Sequence, residues 1–213
     1  MRLFPDGQLI RNYDIVLPEE SSPFNPTALE AIATTFALDV PRVALLVLAS
    51  EAPVNRAVDE LRALGVEAHG LNVVQSDGGR SFLLGEGTGF VEKPTLLVAT
   101  LATIRGLDLP DLTHVFMLGI PASLTPDEYL HVAGRVGRFG RTGKAITIVE
   151  KAHAVPIISR KGRPASGYKD EPRWLNRIYK KVGARPVRIG IFDDAVEDKP
   201  PSWTIDETAE ACE

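Results

Sequence analysis

Tyr129-Leu130-His131-Val132-Ala133-Gly134-Arg135-Val136-Gly137-Arg138-Phe139-Gly140-Arg141-Thr142-Gly143-Lys144 is the stretch that decides how the rest of the chain is read. Wound as a helix at about 100° per residue, it puts His131, Arg135 and Arg138 at i, i+4 and i+7 on one face. Tyr129, Val132, Ala133 and Val136 fall on the other, so one side can pack while the first presents an imidazole and two guanidiniums. The start is specified by Thr125 as N-cap, Pro126 at the first helical position and Glu128 closing a Thr-x-x-Glu capping box. Gly134 and Gly137 each cost such a helix about 1 kcal/mol relative to Ala. Glycines tolerated at that cost mark close approach of backbone or ligand. Two guanidinium forks carried together suit an anion, with phosphate the natural partner.

Outward from this stretch the pattern alternates. Asn12–Leu17, Val43–Ala49, Val66–Leu71, Thr95–Ala99, His114–Leu118 and Ala145–Val149 read as strands, and the unbroken run VALLVLA is that of a strand buried on both faces. Pro26–Leu38, with Asn25 as cap, and Pro53–Leu64, with Val54, Ala57, Leu61 and Leu64 on one side, read as helices. Strands alternating with helices indicate an α/β fold with a mostly parallel sheet and right-handed crossovers. Ligands of such sheets sit at the carboxyl ends of the strands, where Thr100 to Asp108 and the Thr125 helix are expected. Residues 72–93 are the least legible. Their Gly85-Glu86-Gly87-Thr88-Gly89 run lacks the spacing of a phosphate loop and reads as a connection.

Residues 1–10 read as an irregular lead and 151–172 as a basic loop. Pro172–Val182 follows as a helix with Trp174, Leu175, Ile178 and Val182 on its apolar side, and Pro186–Phe192 as one more strand. Formal charge is −4 over 213 residues, unevenly spread. Residues 1–130 hold 8 Lys+Arg against 17 Asp+Glu, residues 131–190 hold 15 against 3, and residues 191–213 hold 1 against 8. Arg173, Arg177, Lys180 and Lys181 recur at i, i+4, i+7 and i+8, a basic stripe opposite the apolar side of the last helix. Such a stripe suits a phosphate backbone without sequence preference. The last twenty residues are acidic and proline-containing, the composition of a tail without fixed structure. The lone Cys212 cannot form an internal disulfide. No apolar run reaches the roughly 18 residues of a membrane span, and the first twenty residues, with Asp6, Asp14, Glu19 and Glu20, do not read as a signal or transit peptide. An intracellular setting is expected, cytoplasm or the matrix of a mitochondrion or chloroplast.

The central stretch resembles motif VI of the DEAD-box RNA helicases, Tyr-x-His-Arg-x-Gly-Arg-x-Gly-Arg. Ala99-Thr100-Leu101-Ala102-Thr103-Ile104-Arg105-Gly106-Leu107-Asp108 resembles their motif V, Ala-Thr-Asp-x-x-x-Arg-Gly-Leu-Asp. Both motifs stand in the family's order, each beside the expected strand. The resemblance covers about residues 11–150 and implies the second, C-terminal RecA-like domain of such helicases, a three-layer fold, here followed by a basic extension over 151–192 and an acidic tail over 193–213. It implies ATP as cofactor, shared with a first RecA-like domain, in cis or in trans, that would also hold Mg²⁺. RNA is the implied partner, within a ribosomal or other ribonucleoprotein assembly, and neither a membrane nor a metal site on this chain is expected.

Residue by residue, the resemblance makes Arg135 and Arg138 arginine fingers at the γ-phosphoryl. Asp108 is matched to the ribose contact, and Gly106 is counted with the nucleotide site as well as with the RNA backbone. Thr100 and Ser50 would also touch RNA, and Arg105 and His131 would link the domains. Plainer roles stay open: a turn or capping Asp108, a strand-end cap at Ser50 and a structural His131. Two positions depart from the pattern: Val132 stands where the family has Arg, and Leu101 where it has Asp. The chain has no Gly-x-x-x-x-Gly-Lys-Ser/Thr and no Asp-Glu-Ala-Asp, so it has arginines for a nucleotide but no loop to hold one. Alone it is expected to be inactive. The competing expectation is a catalytically silent RNA-binding or scaffold subunit.

Overall fold

A computed structural model describes residues 2–3, 9–17, 26–41, 43–48, 53–71, 94–104, 112–137, 142–158 and 162–189. In chain order the elements are β1 (Arg2–Leu3), β2 (Leu9–Leu17), α1 (Pro26–Leu38), β3 (Val43–Leu48), α2 (Val54–Ala63), β4 (Ala68–Gly70), β5 (Thr95–Thr100) and β6 (Leu112–Leu118). They continue with α3 (Pro126–Ala133), β7 (Thr142–Glu150), β8 (His153–Ile158), β9 (Pro164–Lys169), α4 (Glu171–Val182) and β10 (Val187–Arg188). The order β1-β2-β7-β6-β3-β5-β4, with β10 also on β2, makes one eight-stranded sheet. Every pairing in it is parallel except β1 with β2.

Period-2 alternation distributes each strand between two cores. From β3, Leu45 and Val47 enter one cluster with Val115, Met117, Ala145 and Val149, while Ala44, Leu46 and Leu48 enter the other with Val98, Phe116, Ile146 and Ile148. The first cluster is closed by Tyr129, Val132 and Ala133 of α3 and by Leu175, Ile178 and Tyr179 of α4; the second by Leu29 and Ile32 of α1 and Ala57, Val58 and Leu61 of α2. Each of the Val, Leu, Ile, Met and Phe side chains among them contributes roughly 1.5–3 kcal/mol by leaving water. The result is the expected three-layer α/β/α architecture around a mostly parallel sheet. Among the described residues no helix is long and apolar enough to cross a membrane.

Several readings are corrected. The lead is not wholly irregular, since β2 starts at Leu9 and β1 pairs with it. Leu64 is 44% exposed because α2 ends at Ala63, and Val58 takes the inward place instead. Residues 151–172 are not a loop: β8 and β9 form an antiparallel hairpin from His153↔Lys169 to Ile158↔Pro164. The final helix begins at Glu171, capped by Asp170, and the strand after it is short, pairing Val187 with Tyr13 and Arg188 with Asp14. Residues 72–93, Asn25 and the acidic segment 193–213 lie outside the described residues.

Candidate nucleotide- and RNA-facing site

The N-terminus of α3 is built as its sequence requires. Thr125 Oγ1 accepts from the Glu128 amide at 3.2 Å, and the Thr125 amide donates to Glu128 Oε2 at 3.0 Å. The apolar side also holds: Tyr129, Val132, Ala133 and Val136 are all buried. The buried Tyr129 hydroxyl donates to Asn12 Oδ1 at 2.7 Å, and its ring meets Tyr179 edge-on at 5.6 Å.

The helix does not continue through the arginines, which corrects the single-face reading. It ends at Ala133 with Gly134 as cap. The Gly134 amide reaches Leu130 O at 2.7 Å, the Arg135 and Val136 amides make tighter i→i−3 bonds, and Gly137 turns left-handed at φ 73°. Arg135 therefore sits half-buried on a turn after the helix, while His131 is exposed on the last helical turn. His131 Nδ1 donates to the Asp127 carbonyl at 2.9 Å, which orients the ring and leaves Nε2 outward. That turn is pressed against β7. A Cβ on Gly143 would come within 2.5 Å of Gly137 N and of Val136 Cβ. Only glycine leaves room for the arginine-bearing turn.

This places Arg135 away from the strand ends where one site was expected. Gly143 pairs with Ile10 near the start of β7, whereas Thr100 closes β5 at its carboxyl end. Thr100 Oγ1 and Thr103 Oγ1 lie 2.9 Å apart, and the Ile104 amide reaches Thr100 O, so a tight turn presents both hydroxyls. Beside them, Leu48, Leu101, Met117, Gly119, Ile120 and Leu124 line a shallow apolar depression at the carboxyl ends of β3, β5 and β6. The chain thus has a carboxyl-end face around Thr100 and, at the far end of α3, roughly 12 Å of helix away, an arginine turn. Ser50, Arg105, Gly106, Asp108 and Arg138 lie outside the described residues.

The two departures from the motif acquire a physical meaning. Val132 is 1% exposed and belongs to the core, and Leu101 lines the carboxyl-end depression. Both positions have become apolar packing surface. The basic stripe is exposed: Arg173, Arg177, Lys180 and Lys181 face outward while Leu175 and Ile178 face the core.

Sequence reasoning missed what holds α4 in place. Glu171 is 3% exposed at the helix start and accepts from the Glu150 amide at 3.0 Å and the Ile120 amide at 3.3 Å. Lys169 pairs with it at 3.1 Å and with Glu150 at 2.8 Å. Burial alone would push the Lys169 ammonium down, but the hydrogen bond to Glu150 and the Glu171 carboxylate outweigh it and raise its pKa. A second unanticipated cluster joins the amino ends of the strands to α1: Asp39 takes His114 Nε2–H at 2.9 Å and the Lys144 ammonium. Burial pushes His114 down despite Asp39, and Thr113 Oγ1 lies 2.8 Å from the other ring nitrogen, as suits a neutral imidazole. Lys144 and His114 in turn hold the Asp39 carboxyl below its ordinary value. No cue in periodicity marks either cluster, because Glu150 meets Glu171, and Asp39 meets His114 and Lys144, only across the folded sheet.

A mostly parallel sheet covered by helices on both faces, with a capped helix that ends in the glycine turn carrying Arg135, is the RecA-like architecture. Comparison with known proteins agrees. The family described as helicase conserved C-terminal domain matches residues 88–140. The ATP-dependent RNA helicase SrmB of Escherichia coli is 46% identical over 77 residues, 36% of this chain and 16% of SrmB. The DEAD-box ATP-dependent RNA helicase CshA of Geobacillus kaustophilus is 34% identical over 113 residues, 53% of this chain and 23% of CshA. The fold matches the C-terminal domain of the DEAD-box protein Dbp5 with TM-score 0.60 at 19% identity, covering 85% of this chain and 91% of that one. It also matches SrmB bound to regulator of ribonuclease activity A, with TM-score 0.52 at 24% identity over 67% and 78%. The chain carries a C-terminal helicase domain of the DEAD-box RNA helicases, and its matches span less than a quarter of SrmB and CshA.

Proposed function

We propose that this chain works as the second RecA-like half of an ATP-dependent RNA-remodelling motor. In this reading a first RecA-like domain, in cis or in trans, holds ATP and Mg²⁺, and Arg135 and Arg138 reach across to the γ-phosphoryl. Guanidiniums there stabilise charge that grows in the transition state. Asp108 and Gly106 complete the nucleotide edge, while Arg105 and His131 bridge the domains. Thr100, Gly106 and Ser50 hold the RNA backbone, and the basic α4 stripe extends that track. The observation that carries the reading is Arg135 on a turn that Gly143 alone can accommodate. A turn pinned by backbone contact fixes the origin of a guanidinium that must meet a transferring group, and positioning of that kind is most of what phosphoryl transfer asks of a protein.

The test is ATP turnover with single-stranded RNA. The chain alone should show none; the chain combined with a first RecA-like domain should show turnover that falls on the order of 10³-fold in Arg135→Ala. Turnover by the chain alone, or a pair indifferent to Arg135→Ala, would refute the motor.

The buried Val132 and the apolar Leu101 favour a second reading, a catalytically silent RNA-binding or scaffold subunit of a ribonucleoprotein such as a ribosomal assembly. Both readings require RNA binding. They part on whether any first RecA-like domain elicits turnover.

A further inference from the structure

The β8–β9 hairpin offers an apolar face that no described element covers. Its cross-strand pairs set Ala154 opposite Tyr168, Pro156 opposite Ser166 and Ile158 opposite Pro164, and alternate residues of each strand share a side. All six are exposed, Ile158 by 72% and Tyr168 by 67%, and five of the six are apolar or aromatic. The opposite face is different. There His153, Val155, Gly167 and Lys169 are half-buried, Lys169 is bonded to Glu150 and Glu171, and Ile157 lies where a side chain on Gly167 would be. A lone two-stranded hairpin is marginal in water, and an apolar patch rimmed by charge marks an interaction site. The described rim is basic: Lys151 and Arg163 are exposed, and residues 151–169 contain no acid.

A complementary ligand has a small apolar centre and acidic flanks. The chain contains such a segment. Residues 193–213 hold eight acids and one lysine, and their largest apolar side chains, Trp203 and Ile205, are two apart, flanked by Asp193, Asp194, Glu197 and Asp198 before and Asp206, Glu207 and Glu210 after. Geometry favours an intramolecular encounter. β10 is parallel to β2, which is parallel to β7, so the backbone leaving Ile189 heads for the carboxyl edge of the sheet. The hairpin springs from that edge, because Glu150 ends β7 opposite Leu17. β10 and β7 flank β2, a separation of roughly 10 Å at about 4.8 Å per strand. The fourteen residues from Ile189 to Trp203 can span up to roughly 45–50 Å.

We infer that segment 193–213 docks on the β8–β9 hairpin, with Trp203 and Ile205 on the Pro156–Ile158–Tyr168 face and the acids on the basic rim. The contact is self-capping and stands whether or not the domain serves a motor. RNA would meet the same rim, so the segment competes with it there.

Cys212, the chain's only cysteine, permits a direct test in the full chain. A nitroxide attached there should broaden the amide resonances of residues 153–158 and 164–169 at low protein concentration and leave those of β3 sharp. The broadening should be lost in Trp203→Ala, in Tyr168→Ser/Ile158→Ser, and at high salt, with the remaining spectrum unchanged as proof of folding. A mixture of isotope-labelled chain without nitroxide and unlabelled chain with it separates the occupants. Broadening only in that mixture assigns the face to a second copy and overturns the inference. So does an undisturbed hairpin in the labelled chain, and so do hairpin shifts that appear only on adding an oligouridylate, which would assign the face to RNA.

Discussion

Glu171→Ala should separate the C-terminal helix from the sheet. The carboxylate is buried and takes two backbone amides, Glu150 at 3.0 Å and Ile120 at 3.3 Å, besides pairing with Lys169 at 3.1 Å. Hydrogen bonds to a charged group contribute about 1.5–3 kcal/mol each. The Ile120 contact is long and counts at the low end. Lys169 keeps Glu150 at 2.8 Å, so its charge is not stranded. Two orphaned amides then give an expected loss of about 3–5 kcal/mol. Glu171→Gln keeps one carbonyl acceptor and should lose about half as much. Urea unfolding followed in parallel by far-UV circular dichroism and tryptophan fluorescence reads both the size and the cooperativity. Half-buried Trp174 lies on α4, so early undocking would move the fluorescence transition ahead of the dichroism. A Glu171→Ala loss under about 1 kcal/mol, or Gln as damaging as Ala, would refute the account of this carboxylate as the clamp.

Other outcomes follow from named contacts. Gly143→Ala should displace the Arg135 turn, because its methyl meets the Gly137 backbone at 2.5 Å; the check is amide shifts confined to 134–144 with a loss of paired ATP turnover, and an unmoved turn would contradict it. His114 has a folded pKa below its ordinary 6.5, so the unfolded chain binds the proton first and stability should decline as pH falls from about 6.5; His114→Gln should flatten that part of the urea-midpoint profile. Asp39, also lowered from 3.8, adds a second decline that starts only below that pH. Changing Arg173, Arg177, Lys180 and Lys181 together to Ala should flatten the salt dependence of single-stranded RNA affinity by up to about 3 log units per log salt, at about 0.7 for each phosphate released, and an unchanged slope would remove α4 from the RNA track.

Much of the fold was legible because parallel strands buried on both faces must be apolar throughout, as VALLVL and TLLVAT are. The cap of α3 was legible because a capping box is local chemistry. Its end was not, since extending a 3.6-residue period across Gly134 and Gly137 ignores that a left-handed glycine leaves the helix. The hairpin was hidden by Pro156, Pro164 and Gly167, which interrupt a strand pattern. Glu171, Asp39 and His114 were unreadable for another reason: Glu150 and Ile120 reach Glu171, and Asp39 reaches His114, only through sheet order.

The same sheet order divides the motif stretch between two ends of the domain. Thr125 belongs to the end where Leu124 lines the carboxyl-end depression beside Thr100's turn, and Arg135 to the end where Gly143 lies near the start of β7. α3 joins them as a short rigid rod whose buried side, Tyr129 and Val132, is locked to Asn12 on β2 and to Tyr179 on α4. A shift of α3 would therefore move the arginine turn and the α4 stripe together. In the family pattern a polar Arg occupies the position of Val132, where it could answer to ligands. Here that position is packed apolar surface, so what couples the two ends is the packing of the core, and changes to Val132 or Tyr129 act on both ends at once.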